Sequence, residues 1–160
     1  MGRYTIILGK PPKTRCIVVC DKNMIDFLSK DILEVSKASY KPIFIITDRK
    51  QIGQLGNLLK PKISKTGKIP LILDWNSRFS PTKDSIIYFG KVGRHNNITD
   101  FIKQVEKSYS DALRIVIFCS LEEYEKELKN KKSMWKVINL ELEPDSEAIS
   151  LGLDKALRDL

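Results

Sequence analysis

The sequence has few of the residues that most metal and redox sites need. It contains one histidine, His95, and three cysteines, and no two cysteines have CxxC spacing. A single histidine excludes a multi-histidine metal site, and an odd number of cysteines without CxxC gives neither a zinc knuckle nor a disulfide framework. Cys16, Cys20 and Cys119 each lie in or at the end of an apolar run, so we expect all three to be buried.

Long apolar runs and familiar catalytic motifs are also missing. No apolar segment approaches the roughly 18 residues that cross a bilayer, and the first residues hold too short an apolar stretch for a secretory signal. Ile6 stands where a myristoylation motif after Gly2 needs Ser or Thr. The chain contains no GxSxG, HExxH or Rossmann glycine fingerprint. We therefore expect a cytoplasmic protein with no membrane partner and no required cofactor.

Positive charge is abundant and unevenly distributed. The net charge is +8, but residues 1–68 hold 14 Lys and Arg against 5 Asp and Glu, whereas residues 69–160 hold 14 against 15. The densest cationic stretch consists of Lys60, Lys62, Lys65 and Lys68. Such a cluster can neutralise the phosphates of nucleic acid or another polyanion without sequence preference. The alternative is a solvated lysine-rich face, which is common in proteins of heat-adapted organisms.

Apolar runs typical of buried strands alternate with helical patterns along the chain. The strand-like runs lie at 3–9, 15–20, 42–47, 69–73, 85–90, 114–119 and 135–142. Helical patterns lie at 23–38, 49–60, 99–112, 121–130 and 145–160. The second helix is expected to end before Pro61, and Thr99 is the expected N-cap of the third.

This alternation predicts one α/β domain spanning residues 1–160. Strands that are apolar throughout favour a mostly parallel sheet covered on both faces, so we expect a three-layer α/β/α sandwich, Rossmann-like, with about five to seven strands. The KPPKT segment predicts a hairpin between the first two strands, and the 73–85 connection predicts an antiparallel turn or a long bare crossing. The first hairpin and the last strand are the expected edges, which gives the sheet an antiparallel edge.

Three of the apolar runs end in an aspartate, at Asp21, Asp48 and Asp74. If their strands are parallel, the carboxyl ends share one edge of the sheet, and three carboxylates within about 5 Å would hold Mg²⁺ and support phosphodiester hydrolysis. The alternative is structural, because Asp is a strong helix N-cap and both Asp21 and Asp48 precede helical patterns. No helical pattern follows Asp74, so capping does not explain it.

The segment VVCDKNMIDFL, residues 18–28, resembles the opening of the PIN-type nucleases, in which a strand ends in Asp-x-Asn before an apolar helix. The resemblance implies nuclease chemistry at Asp21. It covers about eleven residues and does not extend to that family's later acidic ligands.

A second candidate site is the segment YFGKVGRHNNIT, in which a strand runs into Gly90, Lys91, Gly93 and Arg94 before a helix. Glycine lets backbone N–H groups approach a phosphate, and a helix start is positively polarised. These features predict an anion or nucleotide site. The segment matches neither GxGxxG nor a P-loop, however, and glycine- and asparagine-rich turns are also ordinary loop material.

Together these features favour binding of nucleic acid or another polyanion through the basic N-terminal half, within a larger assembly. Two alternatives stay open: a Mg²⁺-dependent nuclease or phosphoesterase that uses Asp21, Asp48 and Asp74, and a nucleotide-sensing domain that uses residues 90–97. The acidic segment 121–127, together with the basic half, also favours self-association or docking to a protein partner. The sequence alone does not decide whether the protein is an enzyme.

Overall fold

A computed structural model describes residues 13–22, 24–38, 41–63, 70–75, 84–90, 97–130 and 135–141. The strands are β1 (Thr14–Val19), β2 (Ile43–Thr47), β3 (Leu71–Asp74), β4 (Ile86–Phe89), β5 (Arg114–Cys119) and β6 (Lys136–Asn139). The helices are α1 (Met24–Ala38), α2 (Arg49–Ile63), α3 (Ile98–Ser108) and α4 (Leu121–Glu123), which continues as a π-helical turn, Tyr124–Leu128. No helix in these ranges has both the length and the apolar character that a bilayer crossing requires.

The six strands form one sheet in the order β3-β2-β4-β5-β1-β6, and every neighbouring pair is parallel. The expectation of a parallel sheet is confirmed. The expected antiparallel edge is wrong for the described strands, because both edge strands, β3 and β6, run parallel to their neighbours. The predicted strand at 3–9 and the predicted helix at 145–160 lie outside the described residues.

The connection between β3 and β4 explains part of this error. Both strands pair with β2, one on each side, and both are parallel to it. An antiparallel turn cannot join two strands that are parallel and separated by a third. The predicted antiparallel turn is therefore wrong, and residues 76–83, which join the two strands, lie outside the described residues.

Helices cover both faces of the sheet, and each face has its own apolar core. On one face, α1 and α2 pack onto the sheet through residues such as Phe27, Ile32 and Leu59. On the other face, α3 packs through Phe101 and Val105, with side chains from the α4 segment beside it. All six residues of β5 and all four of β4 are buried, as expected for central parallel strands covered on both sides.

Helix α2 runs past the point at which the sequence predicts its end. Pro61 has no N–H and removes one i→i−4 hydrogen bond, which predicts a boundary before it. The helix nevertheless continues to Ile63, whose side chain is fully buried in the core beneath α2. Pro61 lacks one N–H, so it removes one backbone hydrogen bond in the last turn, and burial of Ile63 offsets that loss.

A charged network is buried between α1 and the sheet. The Asp31 carboxylate of α1 accepts two hydrogen bonds from the Arg114 guanidinium, at 2.7 and 3.0 Å, and one from the Tyr88 hydroxyl at 2.5 Å. The three residues are at most 2% exposed. Burial alone lowers the pKa of Arg114, but the Asp31 charge outweighs it and raises that pKa. Burial, followed by the Asp31 charge, raises the pKa of Tyr88. The network therefore holds an ion pair and a neutral phenol.

Candidate functional site

The strand order creates two places where a ligand site is expected. β2 leads to α2 on one face, whereas its neighbour β4 leads to α3 on the other face. The same holds for β1 and its neighbour β5: β1 leads to α1 on the first face, and β5 leads to α4 on the other face. Such divergence opens a crevice at the carboxyl ends of the two strands, which is where ligands of open α/β sheets bind. Neither crevice can be located from the sequence, because each depends on which strands are neighbours.

The three predicted aspartates lie at this carboxyl edge but do not share one site. β4 and β5 separate β2 from β1, so Asp48 and Asp21 follow strands that lie about 14 Å apart at ordinary strand spacing. Asp74 is opposite Thr47 in the β2–β3 register. Over the described ranges, no three His, Cys, Asp or Glu side chains are grouped so that they could hold a metal ion. The expected three-carboxylate Mg²⁺ cluster therefore does not form.

Two of these aspartates contact backbone N–H groups instead. The Asp21 carboxylate accepts a hydrogen bond from the N–H of Leu121, the first residue of α4, at 3.3 Å. It thereby connects β1 to the helix that follows β5. At the start of α2, the Asp48 carboxylate lies 3.5 Å from the N–H of Lys50, and the Asp48 carbonyl accepts from Gln51 N–H at 2.8 Å. The Asp48 contacts are those of an N-terminal cap on the helix that follows it, as predicted, whereas the Asp21 contact is with the start of α4 rather than with the helix it was expected to cap.

The predicted anion loop, residues 90–97, is described only at its two ends, Gly90 and Asn97; Lys91, Gly93 and Arg94 lie outside the described residues. The Gly90 N–H donates to the Ile46 carbonyl at 2.8 Å, and the residue is buried. A Cβ atom at Gly90 would lie 2.9 Å from Thr47 Oγ1. Close packing of β4 against the end of β2 therefore explains this glycine without a phosphate.

The helix start that follows the loop is already capped by the protein's own side chains. The N-cap of α3 is Asn97, whose Oδ1 accepts from the Asp100 N–H at 2.8 Å, and the prediction of Thr99 is wrong. The N–H and hydroxyl of Thr99 donate to one carboxylate oxygen of Glu127, at 3.4 and 3.3 Å, from the π-helical turn. A phosphate at the start of α3 would have to displace the Glu127 carboxylate.

Acidic side chains cluster at this edge of the sheet more generally. The Glu141 carboxylate accepts from the Asp21 N–H at 2.6 Å, and Ser120 and Glu123 form a reciprocal capping box at the start of α4. Together with Glu127, these groups satisfy backbone N–H donors while making the edge electronegative. The carboxyl edge is therefore less suited to a phosphate than the glycine-rich sequence predicts.

Among the described helices, positive charge is most concentrated on α2. This helix carries four basic residues and no acidic residue, and all four are exposed: Arg49, Lys50, Lys60 and Lys62. Lys62 forms one surface ion pair, with Asp26 of α1, at 3.2 Å. Of the predicted lysine cluster, Lys65 and Lys68 lie outside the described residues.

A shallow groove of about 140 Å³ separates α1 from α2. Four apolar residues and two amides line it: Met24, Ile25, Gln51, Gln54, Leu55 and Leu58. The side chain of Leu58 is 45% exposed, although it is large and apolar. Sequence reasoning missed this groove. The one signal was a leucine at position 58 outside the helical stripe of Ile52, Leu55 and Leu59.

Comparison with protein-family models and with curated protein sequences finds no match to this chain, so the residues and their geometry carry the functional inference.

Proposed function

We propose that this chain is a Rossmann-like, three-layer α/β domain that binds nucleic acid or another polyanion through the basic surface of α2, within a larger assembly. One observation carries the proposal: α2 spans fifteen residues with four exposed cations and no acidic residue. Phosphate backbones bind such surfaces through charge neutralisation and counterion release, with little dependence on sequence.

The fold turns the charge asymmetry of the sequence into an asymmetry between faces. Both α1 and α2 come from residues 1–68, and they cover the same face of the sheet. Both α3 and α4 come from the second part of the chain and cover the other face. A polyanion is therefore attracted to one side of the domain and not to the carboxyl edge, where acidic side chains cluster.

Two of the α2 cations lie at a position where they destabilise the helix. Arg49 and Lys50 occupy the first turn of α2, which has no acidic residue. Cations near a helix N-terminus oppose the helix dipole by about 0.3–1 kcal/mol each. A surface selected for solubility alone has no reason to place two cations there, whereas a surface that binds an anion does.

The test is the salt dependence of binding to heparin and to DNA. If the four cations each neutralise one phosphate, log K should fall with log salt with a slope of about −3 to −4, and affinity should drop by about 10²-fold between 50 and 200 mM salt. The Lys60→Gln/Lys62→Gln variant should reduce this slope by about 2. A matched control, Lys103→Gln/Lys107→Gln, removes the same charge from α3 on the opposite face and should leave the slope nearly unchanged.

Absence of salt-sensitive retention would contradict the proposal, as would an equal loss of binding in the α3 control variant. The Mg²⁺-dependent nuclease and the nucleotide sensor stay sequence-based hypotheses. The three carboxylates of the nuclease hypothesis do not form one group that could hold a metal ion, and the helix start that the nucleotide hypothesis requires contacts Glu127.

A further inference from the structure

We propose that the groove between α1 and α2 accepts an unpaired nucleobase, so that the polyanion recognised by α2 is single-stranded nucleic acid. This inference rests on the proposed function and adds a ligand class to it. It depends on the position of the groove, on its size and on the chemistry of its lining.

Along the axis of α2, the groove lies between two pairs of cations. Arg49 and Lys50 begin the helix, and Lys60 and Lys62 lie in its last turn, about 16 Å further along the axis at 1.5 Å per residue. The residues that α2 contributes to the groove, Gln51 to Leu58, fall between these pairs. At 100° per residue, Lys62 and Lys50 lie nearest the groove's flank of α2, whereas Arg49 and Lys60 lie towards the other flank. A phosphate backbone that contacts Lys50 and Lys62 therefore passes alongside the groove.

The size of the groove fits a single ring system. Pockets that enclose drug-sized ligands measure about 300–1,000 Å³, and this groove measures about 140 Å³. A base can lie in it while its sugar and phosphate stay outside, where the cations are. A whole nucleotide is too large to be enclosed.

The floor of the groove is apolar and contains a thioether. Met24, Ile25, Leu55 and Leu58 supply aliphatic surface, and Leu58 is already half exposed. Methionine sulfur contacts the faces and edges of aromatic rings favourably, by about 0.3–1.5 kcal/mol. The lining contains no aromatic residue, so the contact with a base is weaker than in a typical stacking platform.

Two glutamines supply the polar groups. A side-chain amide carries both a donor and an acceptor and can therefore pair with the edge of a base. The Oε1 atom of Gln51 accepts from the Thr47 hydroxyl at 3.4 Å, so the NH₂ group is the end of this amide that would donate to a ligand. Base edges are accessible in this way in an unpaired strand, and a duplex hides the Watson–Crick edges.

The test compares two labelled single-stranded oligonucleotides of equal length and charge, one with bases and one abasic, by fluorescence anisotropy. Base insertion predicts about fivefold to tenfold tighter binding of the oligonucleotide with bases, at the lower end of base-contact energies. Leu58→Ser and Gln54→Ala should each reduce this preference while retaining the salt slope. Leu71→Ser, which alters a leucine of similar exposure on the edge strand β3, is the matched control and should keep the preference.

Equal affinity for the two oligonucleotides, with salt dependence retained, overturns the inference and leaves the proposed function intact. Absence of salt-sensitive binding to both refutes the proposed function and the inference together. If Leu58→Ser instead abolishes a concentration-dependent self-association, and the wild-type chain shows no preference for bases, the groove binds a second copy of the chain and the inference is wrong.

Discussion

Substitution of Asp31 by alanine should be among the most destabilising single changes in this domain. The carboxylate of Asp31 is fully buried and accepts three hydrogen bonds, two of them from Arg114. Its removal leaves a guanidinium that is 2% exposed without its charge partner. Breaking a buried ion pair from one side costs about 3–5 kcal/mol. For a domain of this size, that loss lowers Tm by roughly 6–20 °C.

The related variants separate the charge effect from simple loss of packing. Tyr88→Phe removes one hydrogen bond to a charged acceptor and should cost less, about 1.5–3 kcal/mol. On the Tyr88→Phe background, the double substitution Asp31→Leu/Arg114→Met removes both charges and keeps apolar volume. We expect it to recover most of the loss, because apolar replacements of buried ion pairs are often neutral or stabilising.

The assay is urea unfolding followed by circular dichroism, with each variant compared at constant m value. The reasoning would be refuted by an Asp31→Ala cost below about 1 kcal/mol, which is the range of an exposed pair. It would equally be refuted if the charge-free variant lost as much stability as the separate changes added together.

Three further outcomes follow from the packing around single residues. Gly90→Ala should lower the free energy of unfolding by about 1–3 kcal/mol, because its methyl group would lie 2.9 Å from a threonine hydroxyl. Gly53→Ala, whose methyl group meets nothing within 4 Å, should instead stabilise α2 by about 0.5–1 kcal/mol. Urea titrations in which both variants shift the free energy of unfolding in the same direction would contradict the geometry. Asn97→Ala should cost about 0.5–2 kcal/mol through loss of the α3 cap, and an unchanged urea midpoint would argue against that cap. Burial raises the pKa of the Cys16 thiol from 9.0 to about 12, so the unfolded chain loses this proton at lower pH than the folded chain does. The free energy of unfolding should therefore fall as pH rises from 9 to 12, by up to about 1.4 kcal/mol per pH unit. Cys16→Ala should flatten this pH dependence, and an equally steep profile in the variant would contradict the assignment.

The fold class was predictable because it depends on local patterns. The RIVIFC run of β5 is apolar because both faces of that strand are covered, and the structure buries all six residues. Strand order was not predictable in the same way. β1 pairs with β5 and β6, and no feature of the β1 sequence identifies those neighbours. Strand direction was predicted wrongly at the edge of the sheet. The alternation of apolar and polar residues in β6 correctly indicated partial exposure, which is seen at Val137, but such alternation carries no information on strand direction.

The candidate site was predictable only in its parts. An aspartate at the end of an apolar run correctly marks the carboxyl edge of a parallel sheet, as Asp21 and Asp48 do. Whether two such residues meet depends on how many strands lie between them, and the sequence does not show that number. Asp31 was missed because an acidic residue in a helical pattern is normally solvated, and its partner Arg114 follows 83 residues later.

The position of β1 in the sheet has a consequence for synthesis of the protein. Thr14 pairs with Arg114, so the first described strand emerges from the ribosome a hundred residues before its partner. At 5–20 residues per second, this apolar segment waits about 5–20 s before it can pair, and its second neighbour, β6, is made later still. Nascent chains that end before β5 should therefore be prone to aggregation and should bind chaperones, and a fragment that lacks β5 should not fold stably.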